Sequence, residues 1–241
     1  FGVIKRTLLT EYEYQRRGGK IALTLDEGDE LVFVMLTDGG SDLVIATADG
    51  LAVRFSESRA RAMGRVARGV RGISLREGDY VTGVAQVDPG KKLITITENG
   101  FGKRTEFDDF RPMKNRGGFG VVCHNITPKT GRLAGINSVG EDDDIMIITD
   151  SGTIIRTPVQ GIPVYSRSAA GVIVMRLAEG QSIVNFTKVA GAEDEEQAIN
   201  RAREMDKTAG GERKIITALP AGDDEAEEEA DTSDFDSDGD T

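Results

Sequence analysis

The sequence predicts an all-β, propeller-like domain of about four blade repeats, followed by an acidic C-terminal segment. Three observations support this prediction. The chain repeats itself with a period of about fifty residues, which is typical of propeller blades and other repeat architectures. Apolar, β-branched runs that end in turn residues recur with the same period. The negative charge is concentrated beyond the last repeat.

The clearest mark of the repeat is a glycine followed four residues later by an arginine, which we call the landmark. Successive landmark glycines are separated by 48, 50 and 52 residues, a regularity that is hard to reach by chance. The four landmarks are Gly2 with Arg6, Gly50 with Arg54, Gly100 with Arg104, and Gly152 with Arg156.

Each repeat is predicted to be a blade of three to four strands with one long loop. The first strand precedes the landmark, the second follows the long loop, and the third follows an acidic turn. The first strands are predicted within 42–50, 92–100 and 144–152. The second are predicted within 20–25, 71–75, 120–126 and 171–177, and the third within 31–36 and 81–87.

The first repeat lacks the residues that would form its opening strand, because only Phe1 precedes its landmark glycine. We therefore expect the first blade to be incomplete or to expose an edge, and the chain to be a fragment of something longer. Exposed edges pair with other chains, so self-association is an expectation as well.

Composition excludes several kinds of chemistry. Cys123 is the single cysteine, so the chain can form neither an internal disulfide nor a multi-cysteine metal site, which fits a reducing compartment. His124 is the single histidine, which leaves little for acid–base catalysis. The acidic run 141–146 precedes a predicted strand and is interpreted as a solvated turn. No apolar run approaches the roughly 20 residues of a membrane helix, so we expect a cytoplasmic protein without a membrane partner.

The net charge of −11 comes from one end of the chain. Residues 1–190 hold 25 Lys and Arg against 23 Asp and Glu, whereas residues 191–241 hold 5 basic and 18 acidic residues. The sequence therefore predicts a β domain over 1–190 and an acidic, mostly disordered tail over 191–241.

Arginines are concentrated in the long loops, which predicts a polyanionic partner. Residues 54–76 contain seven arginines and only Glu57 as an acid, so local ion pairs cannot neutralise them. Tryptophan is absent and no base-reading motif occurs, which favours contact with the backbone of bent duplex DNA. The candidate DNA-binding residues in these loops are Arg54, Arg59, Arg61, Arg65, Arg68, Arg71, Lys103, Arg104, Lys114, Arg116, Arg156 and Arg167.

A further basic stretch, YQRRGGK at 14–20, lies in the first repeat. Its glycine pair permits close approach of the backbone to a ligand, and Arg16, Arg17 and Lys20 can reach phosphate oxygens. The alternative interpretation is a plain turn that connects two strands.

The stretches DGLAVRF, ESRARAMGRVARGVRGI, NGFGKRT and DSGTIIRT, together with the acidic tail, resemble the C-terminal DNA-wrapping domain of the bacterial DNA gyrase A subunit. The resemblance implies a β-pinwheel, a disc of blades with a basic rim around which duplex DNA bends. It further implies a non-catalytic part of an ATP-dependent type II topoisomerase that introduces negative supercoils.

By the same resemblance, the partners are the B subunit together with the rest of the A subunit, in a complex of two copies of each that is associated with the bacterial nucleoid. ATP and Mg²⁺ are implied for the whole enzyme, and no cofactor is expected in this chain. The family's signature box reads QRRGGKG, whereas Lys20 is followed here by Ile21, so YQRRGGK is interpreted as a box-like loop rather than the box itself.

Two alternatives stay open at this point. One is the related topoisomerase IV domain, which in that family steers DNA without a strong wrap. The other is a propeller-like scaffold that binds proteins, against which the arginine loops argue.

Overall fold

The computed structural model describes residues 1–14, 18–189 and 191, all within the first of two units into which the chain divides, Phe1–Ala198. The second unit, Ile199–Thr241, lies outside the described residues, as does nearly all of the predicted acidic tail. The domain boundary at residue 190 therefore stays a prediction. No described helix combines the length and hydropathy needed to cross a bilayer.

Each full repeat contributes four strands, which we call the opening, landmark, exchange and closing strands. Repeat two has β2 (Asp42–Thr47), β3 (Leu51–Ser56), β4 (Val70–Arg71) and β5 (Val81–Gln86). Repeat three has β6 (Lys92–Thr97), β7 (Phe101–Glu106), β8 (Val121–Val122) and β9 (Leu133–Val139). Repeat four has β10 (Asp144–Thr149), β11 (Ile154–Pro158), β12 (Val172–Ile173) and β13 (Ile183–Val189). The described residues of repeat one form one strand, the landmark strand β1 (Val3–Ile4).

Short 3-10 helices follow the landmark strands and begin the long loops. In repeats two to four the residue before each helix is extended, and in repeat two its hydroxyl accepts a hydrogen bond from a backbone amide of the helix. The helices span Leu9–Tyr12, Glu57–Arg59, Phe107–Asp109 and Val159–Gly161.

Neighbouring repeats exchange a strand. In each of the two complete blades the order is closing, opening and landmark strand, followed by the exchange strand of the next repeat, and all neighbours are antiparallel. The two complete sheets are β5-β2-β3-β8 and β9-β6-β7-β12. The outer sheets, β1-β4 and β13-β10-β11, hold two and three strands.

The landmark glycines are required where the exchange strand docks. Gly2, Gly50 and Gly100 have φ values of 74°, 74° and 83°, which favour glycine. A Cβ on Gly2 or Gly50 would lie 2.6 Å from a carbonyl oxygen of the following repeat, and one on Gly100 would lie closer still. The landmark glycine carbonyl also accepts hydrogen bonds from two successive amides of that repeat. The landmark is thus the junction between blades.

The opening strands β2 and β6 are buried on both faces because each lies between two neighbouring repeats. In β2, Ile45 packs toward repeat one with Phe55 and Ile73, whereas Val44 packs toward repeat three with Leu93. In β6, Leu93 and Ile94 belong to different core clusters in the same way. This explains why the runs are continuously apolar rather than alternating.

The structure confirms the repeat, the all-β fold and the opening strands. Arg54, Arg104 and Arg156 each lie opposite the third residue of an opening strand, so the landmarks are equivalent. The closing strand predicted at 81–87 is also confirmed, as β5. The second strands are shorter than predicted, with two residues each. The landmark strands were not predicted, because Lys, Arg and Thr make them look like loop.

The strands predicted at 20–25 and 31–36 are wrong, since neither segment forms a strand. In the other repeats the closing strand pairs with the opening strand, and the described residues of the first repeat form no opening strand. Residues 31–36 are therefore exposed, with Val34 at 81%. Among the described residues, the sheet of repeat one consists of β1 and β4.

Candidate nucleic-acid interface

Long loops connect the landmark and exchange strands, and we call them the second, third and fourth rim loops after their repeats: residues 57–69, 107–120 and 159–171. Each lies beside the sheet of the preceding repeat, since its exchange strand joins that sheet. The corresponding segment of repeat one spans 7–19, of which residues 15–17 are outside the described part. Because consecutive exchange strands join consecutive sheets, the rim loops follow one another along one edge.

A glycine directly precedes each exchange strand: Gly69, Gly120 and Gly171. The arginine four residues before this glycine braces the rim loop against the preceding repeat. Its Nη1 donates to a backbone carbonyl two residues after the equivalent glycine of that repeat, so the same bond recurs three times. The contacts join Arg65 to Ile21 at 2.8 Å, Arg116 to Arg71 at 2.7 Å, and Arg167 to Val122 at 3.1 Å. We call these three residues the bracing arginines.

Backbone hydrogen bonds reinforce this arrangement. Gly117 N donates to Gly72 O at 2.7 Å, and Ser74 N donates to Gly118 O at 2.9 Å, which joins the third rim loop to repeat two. Asn125 N donates to the carbonyl of Ala169 in the fourth rim loop at 3.2 Å. The rim loops therefore form a connected row rather than independent flexible arms.

Several predicted residues present exposed charge on this row. Arg59, Arg61 and Arg71 are exposed, and no carboxylate of the described residues lies within ion-pair distance of them. Lys114 is exposed in the third rim loop. Arg68 is exposed as well, but its Nη1 lies 2.6 Å from Asp26 Oδ1. The cationic surface is concentrated in the second and third rim loops.

The landmark arginines instead hold the blades together. Arg54 Nε pairs with Asp42 at 3.0 Å, and Arg156 Nε pairs with Asp144 at 2.7 Å, where each acid is the first residue of the opening strand. The buried Arg104 pairs with Glu141 at 2.6 Å. Hydrogen bonds from the Arg104 and Lys92 side chains lower the pKa of the Glu141 carboxyl. These charges are largely neutralised within the domain.

Lys103 is fully buried under the fourth rim loop. Its Nζ donates to the carbonyls of Ser166 at 2.7 Å and Arg167 at 2.6 Å. Desolvation lowers the pKa of this ammonium to about 8. Its charge is directed at loop backbone rather than at solvent.

The first repeat contributes little that is described. The ammonium of Lys20 lies 5.7 Å from the centre of the Tyr14 ring, a cation–π contact, while Arg16 and Arg17 lie outside the described residues. The proposed roles of YQRRGGK thus stay predictions.

The cysteine and histidine are structural. Burial raises the pKa of the Cys123 thiol to about 12 and lowers the pKa of His124 to about 4. His124 Nε2 bonds the carbonyl of Ala170 at 3.0 Å and Nδ1 bonds the Thr95 hydroxyl at 2.9 Å. No group of His, Cys, Asp and Glu among the described residues could hold a metal ion.

Comparison with known proteins adds to this geometry. The family described as "DNA gyrase C-terminal domain, beta-propeller" matches four segments, 1–38, 41–88, 91–139 and 143–190, which coincide with the four repeats. The chain belongs to this family.

Among the most similar curated relatives, the DNA gyrase A subunit of Aminobacterium colombiense is 45% identical over 195 residues, which are 81% of this chain and 24% of the relative. The DNA gyrase A subunit of Escherichia coli is 42% identical over 195 residues, 81% of this chain and 22% of the relative. The chain thus spans about a quarter of the length of these relatives.

Two solved structures extend the comparison. The C-terminal domain of DNA topoisomerase IV matches with a TM-score of 0.77 and 28% identity, over 85% of this chain and 64% of that chain. The DNA gyrase A C-terminal domain matches with a TM-score of 0.67 and 26% identity, over 78% of this chain and 62% of that chain.

Two features of the rim in these gyrase-like repeats were not predicted from the sequence. The bracing arginines share a fixed spacing to Gly69, Gly120 and Gly171, a signal that is visible in the sequence. Glu141 was expected in a solvated turn, yet it pairs with Arg104 across 37 residues of chain. No local pattern indicates such a distant partner.

Proposed function

We propose that this chain binds duplex DNA along the row of rim loops and bends it, as the DNA-wrapping part of a DNA gyrase A subunit. The observation that carries the proposal is the connected row itself. Each basic loop is held to the preceding repeat by the same arginine contact, so the cations of successive loops have fixed spacing. Membership in the gyrase C-terminal domain family supports the proposal independently.

The proposed binding is electrostatic. Exposed guanidinium groups of Arg59, Arg61 and Arg71 contact phosphates and release counterions, which contributes about −0.9 per contact to the slope of log affinity against log salt. Preorganised loops lose little conformational entropy on binding, so more of each contact appears as affinity. Bending follows when successive loops engage phosphates along a curved row.

In the whole enzyme, this chain would act without a catalytic site of its own. Strand cleavage and ATP hydrolysis, with Mg²⁺, would take place in the B subunit or in the rest of the A subunit, in a complex of two copies of each in the bacterial cytoplasm. The wrap would determine the sign with which two DNA segments cross in the enzyme, and therefore the sign of the supercoils. The support is that the relatives are gyrase A subunits of which this chain spans about a quarter.

The test is a salt titration of the 241-residue chain with duplex DNA. Replacing Arg59 and Arg61 with alanine should flatten the slope by about 0.9 for each lost contact. A matched control, Lys129→Ala with Arg176→Ala, removes the same charge from exposed residues outside the rim loops and should leave the slope nearly unchanged. Equal slopes for the two double variants would place the DNA path elsewhere.

A second candidate is the role of a topoisomerase IV C-terminal domain, favoured by the TM-score of 0.77 to that structure. Wrapping changes the linking number of a plasmid that is nicked and then ligated with the chain bound, whereas positioning without a wrap does not. A shift that grows with protein concentration supports the gyrase role. An unchanged linking number, at concentrations that saturate binding, supports the second candidate.

A further inference from the structure

A lysine directly precedes the landmark arginine in repeats one and three, and its ammonium lies under the rim loop of the next repeat. Lys103 Nζ bonds the carbonyls of Ser166 and Arg167. Lys5 Nζ bonds the carbonyl of Ala22 at 2.6 Å and that of Arg65. In both repeats the ammonium therefore holds the backbone of a bracing arginine.

Repeat two provides an internal contrast. Its equivalent residue is Val53, which has no donor to offer. The bracing arginine of the next loop, Arg116, makes a second contact instead, with Nε donating to the carbonyl of Arg59 at 3.0 Å. Each bracing arginine thus has a second attachment, supplied by a lysine in two junctions and by its own side chain in the third.

Burying an ammonium is costly, which makes a purely stabilising role for Lys103 a poor explanation. No carboxylate of the described residues lies within ion-pair distance of its Nζ, and Asp109, Cys123 and Arg167 are the ionisable groups that influence it. Hydrogen bonds to two carbonyls and the charge of Asp109 do not offset its desolvation, so the pKa of the ammonium is lowered. Replacing this ammonium by a methionine side chain removes the cost of burying a charge, which offsets the loss of its two hydrogen bonds.

We propose that Lys103 is a positioning residue that holds the fourth rim loop so that Arg167, whose Nη1 bonds the Val122 carbonyl, presents the remaining N–H groups of its guanidinium to a DNA phosphate. Lys5 acts in the same way on Arg65 in the second rim loop. This inference rests on the proposed DNA-binding function. Lys103 is buried and does not itself contact DNA, so its effect passes through the loop.

The first test is Lys103→Met in the full chain, with Lys129→Met as a control that removes an equal charge from an exposed turn. Loss of one well-placed phosphate contact should lower duplex affinity about tenfold and flatten the salt slope by about 0.9. The urea midpoint of Lys103→Met should stay unchanged or rise. A purely structural role predicts the opposite combination, a lower midpoint with an unchanged slope, and that result would overturn the inference.

The second test is a double-mutant cycle with Arg167→Gln. If Lys103 acts through Arg167, the double variant binds DNA no more weakly than Arg167→Gln alone. Additive losses would show that Lys103 acts by another route and would overturn the inference. Lys5→Met with Arg65→Gln repeats the cycle at a half-exposed lysine, where folding is little affected.

Two outcomes separate this inference from the function on which it rests. If Arg59 and Arg61 variants change the salt slope but Lys103→Met and Lys5→Met do not, DNA binding stands and the positioning role fails. If none of these variants changes the slope, the proposed interface itself fails.

Discussion

The first and third repeats carry similar apolar signals and fold differently. In repeat three the segment that corresponds to 31–36 forms the closing strand β9, which pairs with the opening strand β6. In repeat one the run 31–36 forms no strand and its side chains are exposed. The comparison teaches that in this architecture an apolar, β-branched run becomes a strand only where a neighbouring strand receives its backbone hydrogen bonds.

Apolar side chains nevertheless surround the position in the first repeat that an opening strand occupies in the other repeats. A cavity of about 770 Å³ lies in the first repeat, lined by residues 31–36 and by Leu43, Ile45, Val81 and Val84 of repeat two. The described residues of the first repeat therefore supply side chains of a blade core but no opening strand.

The largest expected difference between the two repeats concerns core truncation. Leu93→Ala removes a fully buried side chain of β6 and should lower the free energy of unfolding by about 2–5 kcal/mol. Val34→Ala, at an exposed position of the first repeat, should change it by no more than about 0.5 kcal/mol. Urea titrations followed by circular dichroism measure both. Similar losses would show that 31–36 is packed in solution.

Much of the fold could be predicted because the local sequence of the opening strands is typical of β-strands. Residues 92–97 and 144–149 are apolar, β-branched and bounded by turns, so local sequence suffices. The landmark strands could not be found in this way. In β7 the polar residues Lys103, Arg104 and Thr105 are buried by neighbouring repeats, and only tertiary contacts make them acceptable in a strand.

The candidate site was predictable in outline and not in detail. Arginine density located the rim loops correctly, because it is a local property of residues 54–76. It could not separate the exposed Arg59 and Arg61 from Arg54, whose Nη1 donates to the Phe107 carbonyl at 2.8 Å. That bond crosses between repeats, and sequence spacing does not encode which side chains turn inward.

The junction glycines sharpen the comparison between inner and outer repeats. Gly50 and Gly152 both have positive φ, of 74° and 79°, so alanine at either position costs about 1–2 kcal/mol in backbone strain. A Cβ on Gly50 would also lie 2.6 Å from the His124 carbonyl, whereas nothing lies within 4 Å at Gly152. Gly50→Ala should therefore lose about 2 kcal/mol more than Gly152→Ala in urea unfolding. Equal losses would mean that the exchange strand shifts away from the added Cβ without lowering the free energy of unfolding.

His124 makes the inner junction sensitive to acid, which the first repeat, with Leu23 at the equivalent position, is not. The folded pKa is lowered to about 4, so below the ordinary value of 6.5 the unfolded chain takes up a proton that the folded chain does not. Stability conferred by this group is complete above pH 6.5 and falls as the pH drops toward 4. Between pH 7 and 5.5 the loss should be about 1 kcal/mol.

The control for this pH dependence is His124→Met, which installs the residue that repeat four has at this position, Met175. The variant should unfold with a urea midpoint that varies less between pH 7 and 5.5 than that of the parent chain. An identical pH dependence in both proteins would assign the effect to carboxylates instead.

The smallest expected effect on stability, and the last prediction, concerns the open first repeat. Val34 and Leu36 are 81% and 74% exposed in a segment of high β propensity, and such segments pair with other chains. Replacing both with lysine should change the free energy of unfolding by less than about 0.5 kcal/mol, because neither side chain is packed. It should nevertheless reduce self-association, since like charges oppose pairing of the edges.

Sedimentation velocity over a range of protein concentrations measures this self-association, with Val184→Lys, at an exposed position of β13, as a control for added charge. If the double variant and the parent chain associate equally, the contact between copies lies outside the first repeat, and the edge of β11 that pairs with no described strand becomes the region to test.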